Sequence, residues 1–146
     1  MWSNDIESVM RTYDSFLGCF PYDKLPKIKR NNRNWCMIIN TGKSGTVGEH
    51  WVALKRKGDM HYYFDSFGLP IVDRNIIKFM RDCEKVHYSK ICIQDINSFK
   101  CGKFCIVFIK IVNSLTDYLD FIKCFDFYDL RLNDDIVNSM YNEINI

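Results

Sequence analysis

From Cys101 to about Asn113 the chain is apolar nearly all round, with Phe104, Cys105, Ile106, Val107, Phe108, Ile109, Ile111 and Val112. A helix that is hydrophobic on every side has to be buried, so the rest of the chain has to wrap around this one. At 146 residues it can do so as one domain, because a chain of this size buries about 68–70% of its extended surface. No Gly/Ser/Pro-rich linker, repeat or low-complexity tract divides it, and residues 1–146 are expected to form a single domain. A hydrophobic share of 47% with 26% charged residues is that of an ordinary globular protein. No stretch approaches the ~18 uninterrupted apolar residues of a membrane span. Met1-Trp2-Ser3-Asn4-Asp5 lacks the basic start and apolar core of a signal peptide. An intracellular chain with no membrane partner is expected.

The elements that wrap the helix can be placed. Asn4 and Glu7 resemble a capping box ahead of Ile6, Val9, Met10, Tyr13 and Leu17 at helical spacing. Gly18 to Asn34 reads as irregular. Trp35–Ile39, Trp51–Arg56 and Met60–Phe64 read as strands, the last two joined by a Gly58-Asp59 hairpin turn. Asp73 is expected to cap a helix carrying Ile76, Ile77, Phe79 and Met80, and Tyr88–Ile93 alternates as a further strand. Helices are expected near Leu115–Phe125 and Asp134–Ile144, the second capped by Asn133. The expected class is α+β: a small, mostly antiparallel sheet packed on helices, with the buried helix at the centre.

The seven cysteines are odd in number and form no C-x-x-C pair, so free thiols are expected. Cys101 and Cys105 would share a helical face as half of a metal site, but no histidine lies nearby in sequence to complete it, and no metal is expected. The net charge is +2, yet Lys24, Lys27, Lys29, Arg30 and Arg33 crowd together, and Lys55-Arg56-Lys57 form a second cluster. The first cluster is either a solvated basic face or a phosphate contact.

Chemistry is concentrated in three places. Cys101 would occupy the first turn of the buried helix, where unpaired N–H groups and the macrodipole favour a thiolate. The competing reading is an inert core cysteine. His50 follows a loop containing Gly42, Gly45 and Gly48 and precedes a strand, a position suited to an accessible general base. His61 and His87 are read as surface or partner-facing residues. Asp65 ends a strand one hairpin away from His50 and could orient the imidazole, or simply cap the turn at Ser66-Phe67-Gly68. Gln94, seven residues before Cys101, could donate with the Cys101 backbone N–H to an oxyanion. Base, orienting acid, oxyanion donor and nucleophile are what a cysteine hydrolase requires.

These residues, in the order His, acid, Gln, Cys, resemble the adenovirus-type cysteine protease (adenain) family, which shares a fold with the SUMO and ubiquitin-like-protein proteases. The resemblance covers roughly residues 6–112. It is carried by Phe16-Leu17-Gly18, Tyr22-Asp23-Lys24, Ile38-Ile39-Asn40-Thr41, Gly48-Glu49-His50-Trp51-Val52-Ala53, Tyr63-Phe64-Asp65-Ser66-Phe67-Gly68 and Gln94-x-x-Asn97-Ser98-x-x-Cys101-Gly102-Lys103-Phe104-Cys105. Asp65 stands where the adenovirus enzymes usually carry Glu, and nothing after about Asn113 contributes to the match.

The resemblance implies a cysteine endopeptidase with His50 as base and acid, Asp65 as its orienting group, Gln94 in the oxyanion hole and Cys101 as nucleophile. It implies viral precursor proteins cut at glycine-containing sites during particle maturation, with Gly45–Glu49 facing the substrate backbone. The source would be a virus or virus-derived element, acting as a monomer in the virion and the host nucleus or cytoplasm. No cofactor is required for the chemistry, but a capsid-derived activating peptide, disulfide-linked at Cys83, and DNA at the 24–33 cluster are implied partners. A ubiquitin-like-modifier deconjugating protease is the alternative, disfavoured by the Gln94–Cys101 spacing and by Lys100 ahead of the nucleophile. An inactive DNA- or capsid-binding descendant is a third reading, disfavoured because all four catalytic side chains are retained.

Overall fold

The structure is a computed structural model and describes residues 1–42, 45, 50–81 and 85–145. Five strands form one sheet: β1 (Phe16–Pro21), β2 (Asn34–Asn40), β3 (Trp51–Lys57), β4 (Met60–Phe64) and β5 (Lys85–Tyr88), in the spatial order of the sequence. The helices are α1 (Ser3–Met10), α2 (Arg74–Phe79), α3 (Cys101–Ile111), α4 (Leu115–Lys123) and α5 (Leu132–Ile144). The α+β expectation holds. The sheet itself is mixed, because its two inner pairings are antiparallel and its two edge pairings, β1 with β2 and β4 with β5, are parallel.

The central strands are covered on both faces. Along β2, Cys36 and Ile38 join one core, and Trp35, Met37 and Ile39 join the other, as the two-residue period of a strand requires. The first core contains α3, with Phe108 stacked on Phe64 at 4.7 Å between ring centroids and Phe121 edge-on to Phe64 at 5.4 Å. Phe104 to Ile109 are completely buried, as the all-round apolar sequence demands. The second core lies against α2 and the segment before β2, with Ile76 and Met80 packed on Leu54 and Tyr63.

Several local expectations are corrected. The α1 cap is Trp2, whose backbone N–H donates to Asp5 Oδ2 at 2.8 Å, while Glu7 accepts from the Cys19 N–H at 3.1 Å. Glu7 therefore ties α1 to β1 instead of closing a capping box with Asn4. Asn133 lies inside α5 and is buried. It accepts from the Asp126 N–H and donates to the carbonyls of Ile93 and Asp126, at 2.7–2.8 Å. Asp73 does cap α2, accepting from Ile76 N–H at 3.0 Å. Tyr88–Ile93 is not a strand beyond Tyr88. The Ile93 and Gln94 N–H groups both donate to the Ser66 carbonyl, at 2.9 and 3.0 Å, which turns this segment away from the ladder.

Lys55 fixes the far end of α3. Only 1% exposed, its Nζ donates to the Ile109 carbonyl at 2.6 Å, to Asn113 Oδ1 at 3.0 Å and to the Tyr13 hydroxyl at 3.1 Å. A cation at a helix C-terminus meets the negative end of the macrodipole. Burial nevertheless pushes the Lys55 ammonium down to about 8. The folded chain thus loses this proton before the unfolded chain does, and between roughly pH 8 and 10 the unfolded state binds more protons. Stability should therefore rise with pH across that window relative to Lys55→Met, which lacks the group. Paired urea midpoints at neutral and alkaline pH check this, and parallel profiles for the two proteins would refute it.

Candidate active site

The site straddles the open end of β3 and β4. His50 immediately precedes β3, and its carbonyl accepts from the Thr41 N–H at 2.8 Å, which continues the β2–β3 ladder past Asn40 and Trp51. Asp65 immediately follows β4, whose last residue, Phe64, pairs with Ala53. By alternation His50 and Val52 share a face with Tyr63 and Asp65, the face of the second core. His50 Nε2 and Asp65 Oδ1 are 2.7 Å apart, with side chains only 12% and 6% exposed. The same carboxylate oxygen accepts from the Phe67 N–H at 2.9 Å, and Phe67 stacks on the imidazole with centroids 4.5 Å apart. The ring is thus held at one edge by a carboxylate and on one face by a phenyl.

Cys101 approaches from the other layer, as the first residue of α3, and α3 packs across β3. Its thiol lies close enough to the His50 side chain for each group to shift the other's pKa. With Nε2 taken by Asp65, Nδ1 is the ring nitrogen open to the thiol. Burial raises the Cys101 pKa, but the His50 hydrogen bond, backbone hydrogen bonds at Trp51 and Gly102, and the imidazolium charge outweigh it and hold the thiol below its ordinary value. Burial likewise depresses the His50 imidazolium. The hydrogen bonds with Asp65 and Cys101 override it and lift the ring to about 9. Both shifts favour a thiolate–imidazolium pair at neutral pH.

Gln94 is 1% exposed. Its Oε1 accepts from the Ser66 hydroxyl, and its Nε2 donates to the Ser98 carbonyl at 3.0 Å. One Nε2 proton is therefore used internally and the second is left over, with the amide's orientation set by Ser66. Cys105 is completely buried, donates its S–H to the Trp51 carbonyl at 3.4 Å, and is held well above the ordinary thiol range by burial first and then by the charge of Cys101. Gly102 is buried. A Cβ there would lie 3.2 Å from Met1 Cβ and Sδ and 3.3 Å from Ile6 Cδ1.

The structure therefore brings His50, Asp65 and Cys101 together and sets Gln94 beside their loops. Cys83 and most of Gly45–Glu49 lie outside the described residues. His61 is corrected from a surface residue to a buried one, 2% exposed, because β4 alternation turns it to the same face as Trp35 and Tyr63. His87 is half-buried edge-on to Tyr118, centroids 4.6 Å apart. Sequence reasoning missed the parts played by Ser66 and Phe67. Both stood in the quoted Asp65-Ser66-Phe67-Gly68 run, and their spacing to Asp65 was the available signal. Among the described residues no three His, Cys, Asp or Glu side chains group as metal ligands. No described helix is long and apolar enough to cross a membrane.

A cavity of about 780 Å³ opens beside His50 and Asp65, with Tyr22, Phe67, Leu69, Val72 and Ile76 among its walls.

The alkaline side of any activity carried by this pair should follow loss of the imidazolium proton, near pH 9. Asp65→Asn removes the leading group that raises the imidazole, so the alkaline limb should move to lower pH. An unmoved limb in that variant would mean that His50 does not set it.

No protein-family model matches the chain. It is 28% identical over 115 residues to the protease of Bovine adenovirus C serotype 10, an alignment covering 64% of this chain and 59% of that protein. It is 28% identical over 116 residues to the protease of Human adenovirus A serotype 12, covering 64% and 56%. The chain thus spans somewhat more than half the length of the curated relatives it matches. In structure it resembles the ASFV pS273R protease in its Se-Met crystal form, with a TM-score of 0.61 and 17% identity, over 97% of this chain and 66% of that one. The resemblance to the adenovirus-type cysteine proteases is borne out, and the fold is the adenain-like one.

Proposed function

We propose that this chain, a relative of the adenovirus proteases, is a cysteine endopeptidase that cleaves viral or virus-derived precursor proteins by acyl transfer through Cys101. One observation carries the reading: a single imidazole, His50, is bonded at 2.7 Å to the Asp65 carboxylate and lies beside the Cys101 thiol, whose pKa it lowers. Asp65 fixes the ring and balances its charge, and Cys101 starts as the thiolate. The sulfur attacks the scissile carbonyl carbon, and the carbonyl electron pair moves onto oxygen. That oxyanion is met by the Cys101 backbone N–H and by the Nε2 proton that Gln94 does not spend on Ser98. Collapse re-forms the carbonyl and breaks the C–N bond as His50 delivers its proton to the leaving nitrogen. Neutral His50 then takes a proton from water, which hydrolyses the thioester and regenerates the thiolate.

The cavity beside His50 suits a bulky apolar side chain of the substrate, and cleavage at glycine-containing sites is proposed from the sequence resemblance to the adenain family. On the same footing, a peptide activator at Cys83 is proposed as a regulator. The test is a thiol-reactive peptide probe located by mass spectrometry, run alongside hydrolysis of a glycine-containing peptide. Labelling confined to Cys101 and lost in His50→Ala is expected. Labelling spread over several cysteines and indifferent to His50, with no hydrolysis, would overturn the reading.

A further inference from the structure

A second set of groups lies toward the other end of the sheet and takes no part in this chemistry. The ladders set Trp35 beside Arg56 and Arg56 beside His61. Arg56 is five residues along β3 from Trp51, which adjoins His50. At a strand's rise per residue that separates this row from the His50 end by roughly 17 Å. His61 is 2% exposed, and among the described residues both of its ring nitrogens lack a hydrogen-bond partner. A buried imidazole normally has one, and leaving it unpaired is costly.

His61 lines a cavity of about 670 Å³ together with Lys27, Lys29, Arg30, Arg33 and Arg56. Trp35 and Phe79 form its apolar wall, edge to face at 5.4 Å. Arg33 is paired with Asp59 at 2.7 Å, and Arg56 Nε donates to the Gly58 carbonyl at 3.0 Å. Lys27, Lys29 and Arg30 have no ion-pair partner among the described residues. Among the described residues no acidic side chain lines the cavity. Among the described residues, five cations and one unpaired imidazole therefore surround a concave space with no acidic side chain in its walls.

We propose that this cavity binds a phosphate monoester dianion, with His61 as the floor donor and Lys29, Arg30 and Arg56 around the phosphoryl oxygens. Guanidinium groups offer paired donors that match a phosphoryl face, and the ammonium groups add point charge. His61 supplies one N–H when neutral and two when protonated. Burial, and then the charge of Arg56, hold it down to about 4 in the free protein. Among the described residues the charged groups facing it are Arg56 from β3 and Lys27, Lys29, Arg30 and Arg33 from the segment before β2. Trp35 from β2 and Phe79 from α2 carry no charge. A bound dianion opposes both depressing influences, so binding should draw a proton onto His61 and weaken as that proton is lost at higher pH. A cavity also suits a terminal phosphate entering end-on, whereas a nucleic-acid backbone tracks an open groove.

The test titrates the full chain with inorganic phosphate and with glycerol phosphate by calorimetry, while NMR follows the His61 ring. Saturable binding is expected, with the His61 titration midpoint moved upward by ligand. His61→Phe keeps the ring against Trp35 and removes the nitrogens. The double variant Lys29→Gln with Arg30→Gln alters only exposed residues, so it keeps the fold. Each should weaken binding about tenfold or more. No saturation at millimolar phosphate, or unchanged affinity in both variants, overturns the proposal. So does tighter binding of a phosphodiester oligonucleotide with the His61 resonance unmoved, which would reassign the cluster to nucleic-acid backbone. The readout is binding, so it stands or falls separately from hydrolysis at Cys101.

Discussion

His50→Ala is expected to lower peptide hydrolysis by about 10⁴-fold, the upper range for loss of a general acid–base group. Two effects combine. The leaving nitrogen loses its proton donor, and the Cys101 thiol loses the largest of the contributions that lower its pKa, leaving burial, which raises it, opposed only by the backbone. Alkylation of Cys101 at neutral pH should therefore slow along with hydrolysis, which a variant that merely lost substrate affinity would not show. Cys105→Ala is the control from the same helix. Cys105 is fully buried, and its S–H is committed to the Trp51 carbonyl at 3.4 Å, so its loss should cost about 1 kcal/mol of stability and leave hydrolysis near the parent rate. A His50→Ala protein that hydrolyses within tenfold of the parent would remove His50 from the chemistry.

The candidate site was more legible in the sequence than the scaffold. His50, Asp65, Gln94 and Cys101 stand out because reactive side chains sit at the ends of apolar segments, and strand ends beside a buried helix are where the fold brings them together. The strands Trp35–Ile39, Trp51–Arg56 and Met60–Phe64 were legible for the same reason: each is a short apolar or alternating run bounded by turn residues. β1 was not. It contains Gly18, at φ +133°, and ends on Pro21, so only its parallel pairing with β2, formed across the chain, makes it a strand. Tyr88–Ile93 alternates convincingly, yet the N–H groups of Ile93 and of Gln94 just after it are claimed by one carbonyl, that of Ser66. His61 reads as polar and therefore exposed. Its burial depends on cover from Phe79 and from the segment before β2, elements distant in sequence that no local pattern reveals.

That Ser66 contact makes Gly68 the residue on which both sides of the site depend. Gly68 has φ +68°, and its N–H closes the turn onto the Asp65 carbonyl at 2.8 Å. A Cβ at this position would lie 2.6 Å from the Ile91 carbonyl carbon, 2.7 Å from its oxygen and 2.8 Å from the Cys92 nitrogen. All three are backbone atoms, so no side-chain rotation relieves the overlap. Gly68→Ala should therefore cost the left-handed penalty of about 1–2 kcal/mol plus a displacement of the Ile91–Cys92 backbone, roughly 3 kcal/mol or more in all. For a chain of this length that corresponds to a fall in Tm of about 10 °C. Hydrolysis should fall further than stability alone explains, by about 10²-fold, because the displaced backbone leads directly to Gln94 while the distorted turn carries Asp65. Gly58→Ala isolates the backbone term. Gly58 also has positive φ, at +61°, but a Cβ there meets nothing within 4 Å, so it should lose only the left-handed penalty and keep its activity. Equal losses in the two variants would mean that contact with Ile91 and Cys92 does not shape the site. A larger loss confined to Gly68→Ala would tie Asp65, the partner of His50, and Gln94 to one turn.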